Sequence, residues 1–375
     1  MQVIVALAAL GSLAAPALGF SIPRGVPVSQ SMIDVKLSST GNSMVKATIT
    51  NNGNRALNLL KFHTIMDSNP TRKVSIESED GKEIQFTGMM PTYKEKDLKP
   101  SYFISLPPKG TVEHSFDIAR THDLSRGGKF TLKAEGMVPI AEENGTEITG
   151  AAKYHSNELH MTIDGEKAAS VENAFGIVKR GPLTRINKRT SIDMQSCGNS
   201  QELQALTAAL KASAQLSSMS AQAVSQNQDK YMEYFKDPQY MQTVQSRFQA
   251  VAQESSSTTG GGTTYHCSDT MGGCEEGVLA YTLPSQNEVF NCPIYYSDLP
   301  PLSNECHAQD QATTTLHELT HNPAVQEPFC EDNGYGYERA TALSAEKAVQ
   351  NADSYALFAN GKLNLITLML IIDPD

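Results

Sequence analysis

The hydrophobic period of the chain changes partway along. Up to about residue 178, apolar and polar positions alternate. Val45, Ala47 and Ile49 are interleaved with Lys46, Thr48 and Thr50, and Phe130, Leu132 and Ala134 with Thr131, Lys133 and Glu135. Successive side chains of a strand point to opposite faces, so a period of two predicts half-buried strands. The runs 51–54 (NNGN) and 126–129 (RGGK) are turn signals between them. A β-sandwich is the expectation for residues 20–178.

Beyond Ser200 the pattern turns helical. Residues 200–224 and 229–255 are rich in helix formers, the second run being interrupted at Pro238. A Ser-, Thr- and Gly-rich loop at 255–264 follows. Two short strand-like pieces come next, 277–283 (GVLAYTL) and 288–296 (EVFNCPIYY), joined by PSQN. Ala308, Ala312, Leu316 and Leu319 then form an apolar stripe at helical spacing that Pro323 ends. A last helical pattern runs from about Glu338 to Asn360, closed by Gly361. The chain is therefore expected to be multidomain: a β-sandwich-like region, then a mainly helical α+β domain with a small β-sheet. Its 375 residues suffice for two cores.

Charge sharpens this division. The net charge is −11. From Thr190 onward there are 22 acidic and 7 basic residues, net −15; the preceding part holds the other 19 acidic and 23 basic residues, net +4. Two units of opposite sign attract each other, and the acidic one repels nucleic acid phosphates. The junction carries the basic pairs Lys179-Arg180 and Lys188-Arg189 in a polar segment with Gly and Pro. Processing endoproteases of secreted chains cut at such pairs. Cleavage after Arg189 is the expectation, dividing a pro-region (20–189) from a mature unit (190–375).

Secretion is expected from the N-terminus. Residues 3–10 are apolar, and Ala17-Leu18-Gly19 is a small-x-small cleavage site, so residues 1–19 read as a signal peptide. Neither this run nor the ten-residue LNLITLMLII at 363–372 has the ~20 residues a membrane span needs. Asn144-Gly145-Thr146 is a glycosylation sequon. All six cysteines lie in the acidic half: Cys197, Cys267, Cys274, Cys292, Cys306 and Cys330. In a secreted chain an even number predicts three disulfides, with fifteen possible pairings. A monomer that needs no membrane and no nucleic acid is the simplest expectation.

The candidate chemistry is concentrated in 311–325 (QATTTLHELTHNPAV). His317, Glu318 and His321 form H-E-x-x-H, which places both imidazoles on one helix face, about one turn apart. They can share one Zn²⁺, with Glu318 as the base for an activated water. Zinc needs a third protein ligand. The spacing of one zinc-protease class fails, since Glu327 stands where a third His would be and Ala324 where Gly is required. Glu338 or Glu346 on a later helix, or Asp332 soon after this one, stay open.

The runs HELTHNPAVQEPFCEDNGYGY (317–337) and AVQNADSYALFANG (348–361) resemble the deuterolysin family, the fungal neutral protease 2 or aspzincin group. The likeness covers most of 190–360. The resemblance implies a zincin-like catalytic domain, a peptide-hydrolysing activity with a liking for basic proteins such as histones and protamines, and a pro-region. In the family's G-T-x-D-x-x-Y-G motif the Asp is the third zinc ligand, which maps to Asp332. Tyr335 would then hydrogen-bond the oxyanion. Phe329 and Cys330 replace the Gly-Thr pair. Asp353 is a candidate ligand, orienter or substrate-pocket acid; lysine-specific members carry Glu where this chain has Ala356. The resemblance also implies the pairs Cys197–Cys267 and Cys274–Cys292. Cys306 and Cys330 are left over, because the terminal cysteine with which the family pairs the Cys306 position is missing here, and they are expected to pair with each other. A non-catalytic secreted β-sandwich binding protein is the competing reading.

Overall fold

The computed structural model describes residues 28–29, 32–176, 191–257 and 261–361. The expected signal segment 1–19, both dibasic pairs and the apolar run 363–372 lie outside the described residues.

The N-terminal part is β-rich, as its alternation predicts. Strand Met44–Asn51 alternates strictly between buried and half-buried positions, and Val45, Ala47 and Ile49 are fully buried. It sits between Ile33–Ser39 and Thr111–Asp117, antiparallel to both. A second three-stranded sheet has the order Leu159–Ile163, Gly128–Lys133, Ser75–Ser78. A five-stranded sheet runs from Val28–Ser29 through Ile148–His155, Glu135–Ala141 and Leu57–Leu60 to Phe103–Leu106. The inward residues of these sheets form one apolar core, in which Leu59, Ile76, Leu132 and Val138 are completely enclosed. At about 25 cal/mol per Å² of apolar surface, such burial is the main stabilising term.

The C-terminal part is helical around a small sheet. The long helix Ser200–Gln226 starts at Asn199, whose side chain caps the Gln201 N–H. It packs on Met241–Ser255 and on the buried helix Gln311–Thr320, which also touches Ala352–Asn360. Phe235, Phe248, Tyr355 and Phe358 meet edge-on or tilted, with ring centroids 5.0–5.7 Å apart. Pro238 interrupts the second helical run as expected: a short 3₁₀ turn, Pro238–Tyr240, precedes Met241–Ser255.

Two sequence expectations are corrected. The pattern from Glu338 to Asn360 is not one helix but three pieces, Tyr337–Ala340, Ala345–Val349 and Ala352–Asn360. Ser344 restarts the chain by capping the Lys347 N–H, and Asn351 turns away to bond Gly334 through both its N–H and its C=O, at 2.9 Å each. Local capping and a tertiary contact thus override helix propensity. The second correction concerns the cysteines. Cys197–Cys267 and Cys274–Cys292 are bonded, whereas Cys306 and Cys330 are free. Cys330 is enclosed, donating its N–H to Thr320 at the C-terminal end of helix Gln311–Thr320, and Cys306 is exposed just before the N-terminal end. Ten residues of helix separate those ends by about 15 Å, about twice the reach of a disulfide.

The feature that no local pattern foretold is the edge of the small sheet. Its order is Ser191–Ile192, Thr264–His266, Glu288–Asn291, Val278–Leu283, Met90–Tyr93. The last strand belongs to the N-terminal region and pairs antiparallel with Val278–Leu283. The two parts of the chain are thereby stitched together by backbone hydrogen bonds. Among the described residues, no helix is long and apolar enough to cross a membrane.

Candidate metal centre

Helix Gln311–Thr320 opens at Asp310, whose carboxylate accepts from the Thr313 N–H at 2.7 Å. Every residue of the helix is buried. Its last turn delivers His317 and Glu318, and His321 forms the C-cap. His321 donates Nδ1–H to the Cys330 carbonyl at 2.8 Å, which turns its Nε2 inward as an acceptor. That Nε2 stands 3.1 Å from Nε2 of His317. Oδ1 of Asp332 lies 3.3 Å from the His317 Nε2 and 3.4 Å from the His321 Nε2. The ligand atoms of His317, His321 and Asp332 all fall within 4.8 Å of one another.

This donor set fits a divalent cation. Both oxygens of Asp332 are buried with no hydrogen-bond partner, and two imidazole nitrogens converge on them. Electrostatics agrees. Burial would lower His317, but Asp332 and Asp353 raise it to about 10. Burial would raise Asp332, yet His321, His317 and His63 hold it far below the carboxylate range. The pocket draws positive charge to one spot, and a metal ion supplies it without protons.

Neither Glu338 nor Glu346 joins the cluster. The D-x-x-Y-G loop is held in place by Asn351, and its Tyr335 directs its hydroxyl to the His317 Nε2 at 3.1 Å. Asp353 is outside the ligand group. Its Oδ1 is 3.5 Å from the His317 Nδ1, and its Oδ2 accepts from the Gly336 N–H at 2.5 Å. Asp353 thus lies beside the His317 ring and holds the backbone of the D-x-x-Y-G loop at Gly336.

Glu318 is fully buried beside the two histidines. Burial pushes its carboxyl up, against the pull of His317, His321 and two threonine hydroxyls. Thr92 donates to Oε1 and Thr282 to Oε2, each at 2.6 Å. These threonines were not visible in the sequence, Thr92 being 226 positions away from Glu318. The N-terminal region contributes two further groups. His63 has its Nδ1 3.8 Å from Asp332 and its ring stacked on Tyr335, and burial lowers it to about 3. Glu95 is raised to about 7 by burial and by Asp353, with Arg339 opposing. A cavity of about 640 Å³ between the two parts is lined by His63, Tyr93, Glu95, Asp332, Tyr335 and Arg339.

A buried H-E-x-x-H helix completed by an aspartate defines a metallopeptidase centre of the zinc type. Residues 1–367 match the Deuterolysin metalloprotease (M35) family, and the chain belongs to it. It is 99% identical to "Probable neutral protease 2 homolog" of Trichophyton verrucosum over 375 residues, the whole of both chains. It is 89% identical to "Neutral protease 2 homolog" of Arthroderma gypseum over 372 residues, 99% of each. A more distant relative, "Probable neutral protease 2 homolog" of Arthroderma otae, is 61% identical over 362 residues, 96% of this chain and 98% of that one.

Proposed function

We propose that the chain is a secreted zinc endopeptidase made as a zymogen, with a signal peptide at 1–19, a β-sandwich-like pro-region at 20–189 and a mature unit from Thr190, released by a dibasic-processing protease after Arg189. One Zn²⁺ per monomer is held by His317, His321 and Asp332. The observation that carries this is the convergence of those three side chains, with Glu318 beside them.

Bound zinc would polarise the scissile carbonyl and acidify a water at neutral pH. Glu318 takes the proton of the attacking water and returns it to the leaving amine. Tyr335 donates its hydroxyl to the developing oxyanion. Asp353 holds the His317 ring. The net −15 of the mature unit supports a preference for basic peptides and proteins such as protamines and histones. The pro-region, net +4 with the residues before it, acts as folding aid and inhibitor.

Incubation of the processed protein with protamine tests the reading. Cleavage should stop with a chelator, return with zinc, and be absent from Glu318→Gln. Undiminished cleavage by Glu318→Gln would refute the assignment of the base. A folded, zinc-loaded mature chain that cleaves nothing would favour the binding-protein reading.

A further inference from the structure

Both oxygens of Glu318 are held by threonine hydroxyls, and the two threonines come from opposite sides of the processing junction. Thr92 lies on the edge strand Met90–Tyr93, and Thr282 on its neighbour Val278–Leu283. In the antiparallel pairing Thr92 faces Ala280, and Met90 faces Thr282. All three side chains of the clamp are buried. A buried carboxylate needs such donors, since leaving it unpaired costs several kcal/mol.

The donors have opposite consequences for a base. A hydroxyl on one oxygen fixes the carboxylate plane and leaves the other oxygen's lone pairs free. A hydroxyl on that second oxygen occupies the position the substrate water must reach. We propose that Thr282 is the permanent positioning residue of Glu318 and that Thr92 is its removable counterpart. Departure of the pro-region takes Thr92 away and opens Oε1, while Thr282 keeps Oε2 fixed. The inference rests on Glu318 acting as the general base.

Thr282 is suited to permanence. It is β-branched, with few χ1 options. Its strand stays paired on the far side, Thr282 facing Val289 of Glu288–Asn291. Its single hydroxyl hydrogen has two acceptors nearby, the Glu318 carboxylate at 2.6 Å and the Glu318 carbonyl at 3.0 Å. The shorter, charge-assisted bond is the stronger one. Thr92 makes an equally short bond, but from an edge strand that belongs to the N-terminal region and, among the described residues, is paired on one side alone.

The test compares Thr282→Val and Thr282→Ser in the processed, zinc-loaded enzyme. Thr282→Val should lose about tenfold or more in kcat with KM within about twofold, and Thr282→Ser should recover most of the loss. Zinc content should be unchanged in both. Binding of acetohydroxamate, read by calorimetry without turnover, should weaken in Thr282→Val and return in Thr282→Ser. If Thr282→Val does not fold, Thr282→Cys, of similar volume and a weaker donor, carries the same test. For Thr92, the chain with Lys188→Ala and Arg189→Ala is compared with and without Thr92→Val; removing the hydroxyl should strengthen hydroxamate binding. Wild-type kcat in Thr282→Val, loss of zinc, no recovery with Ser, or no gain with Thr92→Val would overturn the proposal. Activity in a Glu318→Gln control would remove its premise; an inactive control beside a wild-type-like Thr282→Val would sink this inference alone.

Discussion

The His63 ring lies against Tyr335, centroids 4.0 Å apart and planes 19° apart. One residue belongs to the N-terminal region and the other to the D-x-x-Y-G loop. The left-handed backbone of His63, φ 55°, aims the ring at this spot. With Thr92 on Glu318, it leaves the centre covered from the side on which Met90–Tyr93 joins the sheet. The uncleaved chain should therefore be latent. If the proposed processing after Arg189 and the proposed role of Glu318 hold, a chain carrying Lys188→Ala and Arg189→Ala should hydrolyse protamine at least about 100-fold more slowly than the processed one, as expected when a general base is withheld. Equal rates for intact, unprocessed protein would refute latency.

The proposed metal ligands can be separated from their proposed supports by zinc content. Asp332→Asn should lose the ion, because it removes the carboxylate on which both histidines converge. Glu338→Gln and Glu346→Gln should keep it. Asp353→Asn should keep a site, with affinity weakened roughly 10- to 100-fold, the usual effect of losing a ligand's orienting partner. Competition with a chelator of known affinity measures all four. Zinc retained by Asp332→Asn and lost by either Glu variant would reverse the assignment.

How far the sequence discloses this site depends on the range of the interaction. His317, Glu318 and His321 are set by one helical turn, so spacing alone exposes them. Asp332 and Tyr335 lie in a loop; position after the helix left Asp332 as one of three candidates, and the family motif singled it out and alone marked Tyr335. Thr92, Thr282 and His63 leave no local trace: Thr92 is one polar residue in a four-residue strand, and sheet pairing across 188 positions brings it to Ala280. The period-two strands were legible because one face is buried. The break at Ser344 and Asn351 was not, because a tertiary bond to Gly334 decides it.

The free cysteines give a direct count. Cys306 is exposed, whereas Cys330 is enclosed and its thiol is pushed up to about 11 by burial, against Arg247. Thiolate is the reactive form. A thiol reagent should find one reactive cysteine in the native protein and two in denaturant. None in either condition would mean that Cys306 and Cys330 are bonded after all.

Acid should loosen the N-terminal region through His122. Its ring is buried edge-on to Phe86, with Nε2 unpartnered. Burial first, and Arg72 second, lower it from 6.5 to about 3. The unfolded chain therefore binds a proton between pH 6.5 and 3 that the folded chain refuses. Unfolding is favoured as pH falls through this window, so stability rises with pH there and levels off above 6.5. One full proton corresponds to about 1.4 kcal/mol per pH unit. His122→Gln should flatten the dependence by up to that slope, whatever its effect on absolute stability. Urea unfolding of the uncleaved chain at several pH values between 4 and 7 measures it. An unchanged slope in the variant would show that the buried ring is not the group that acid must charge.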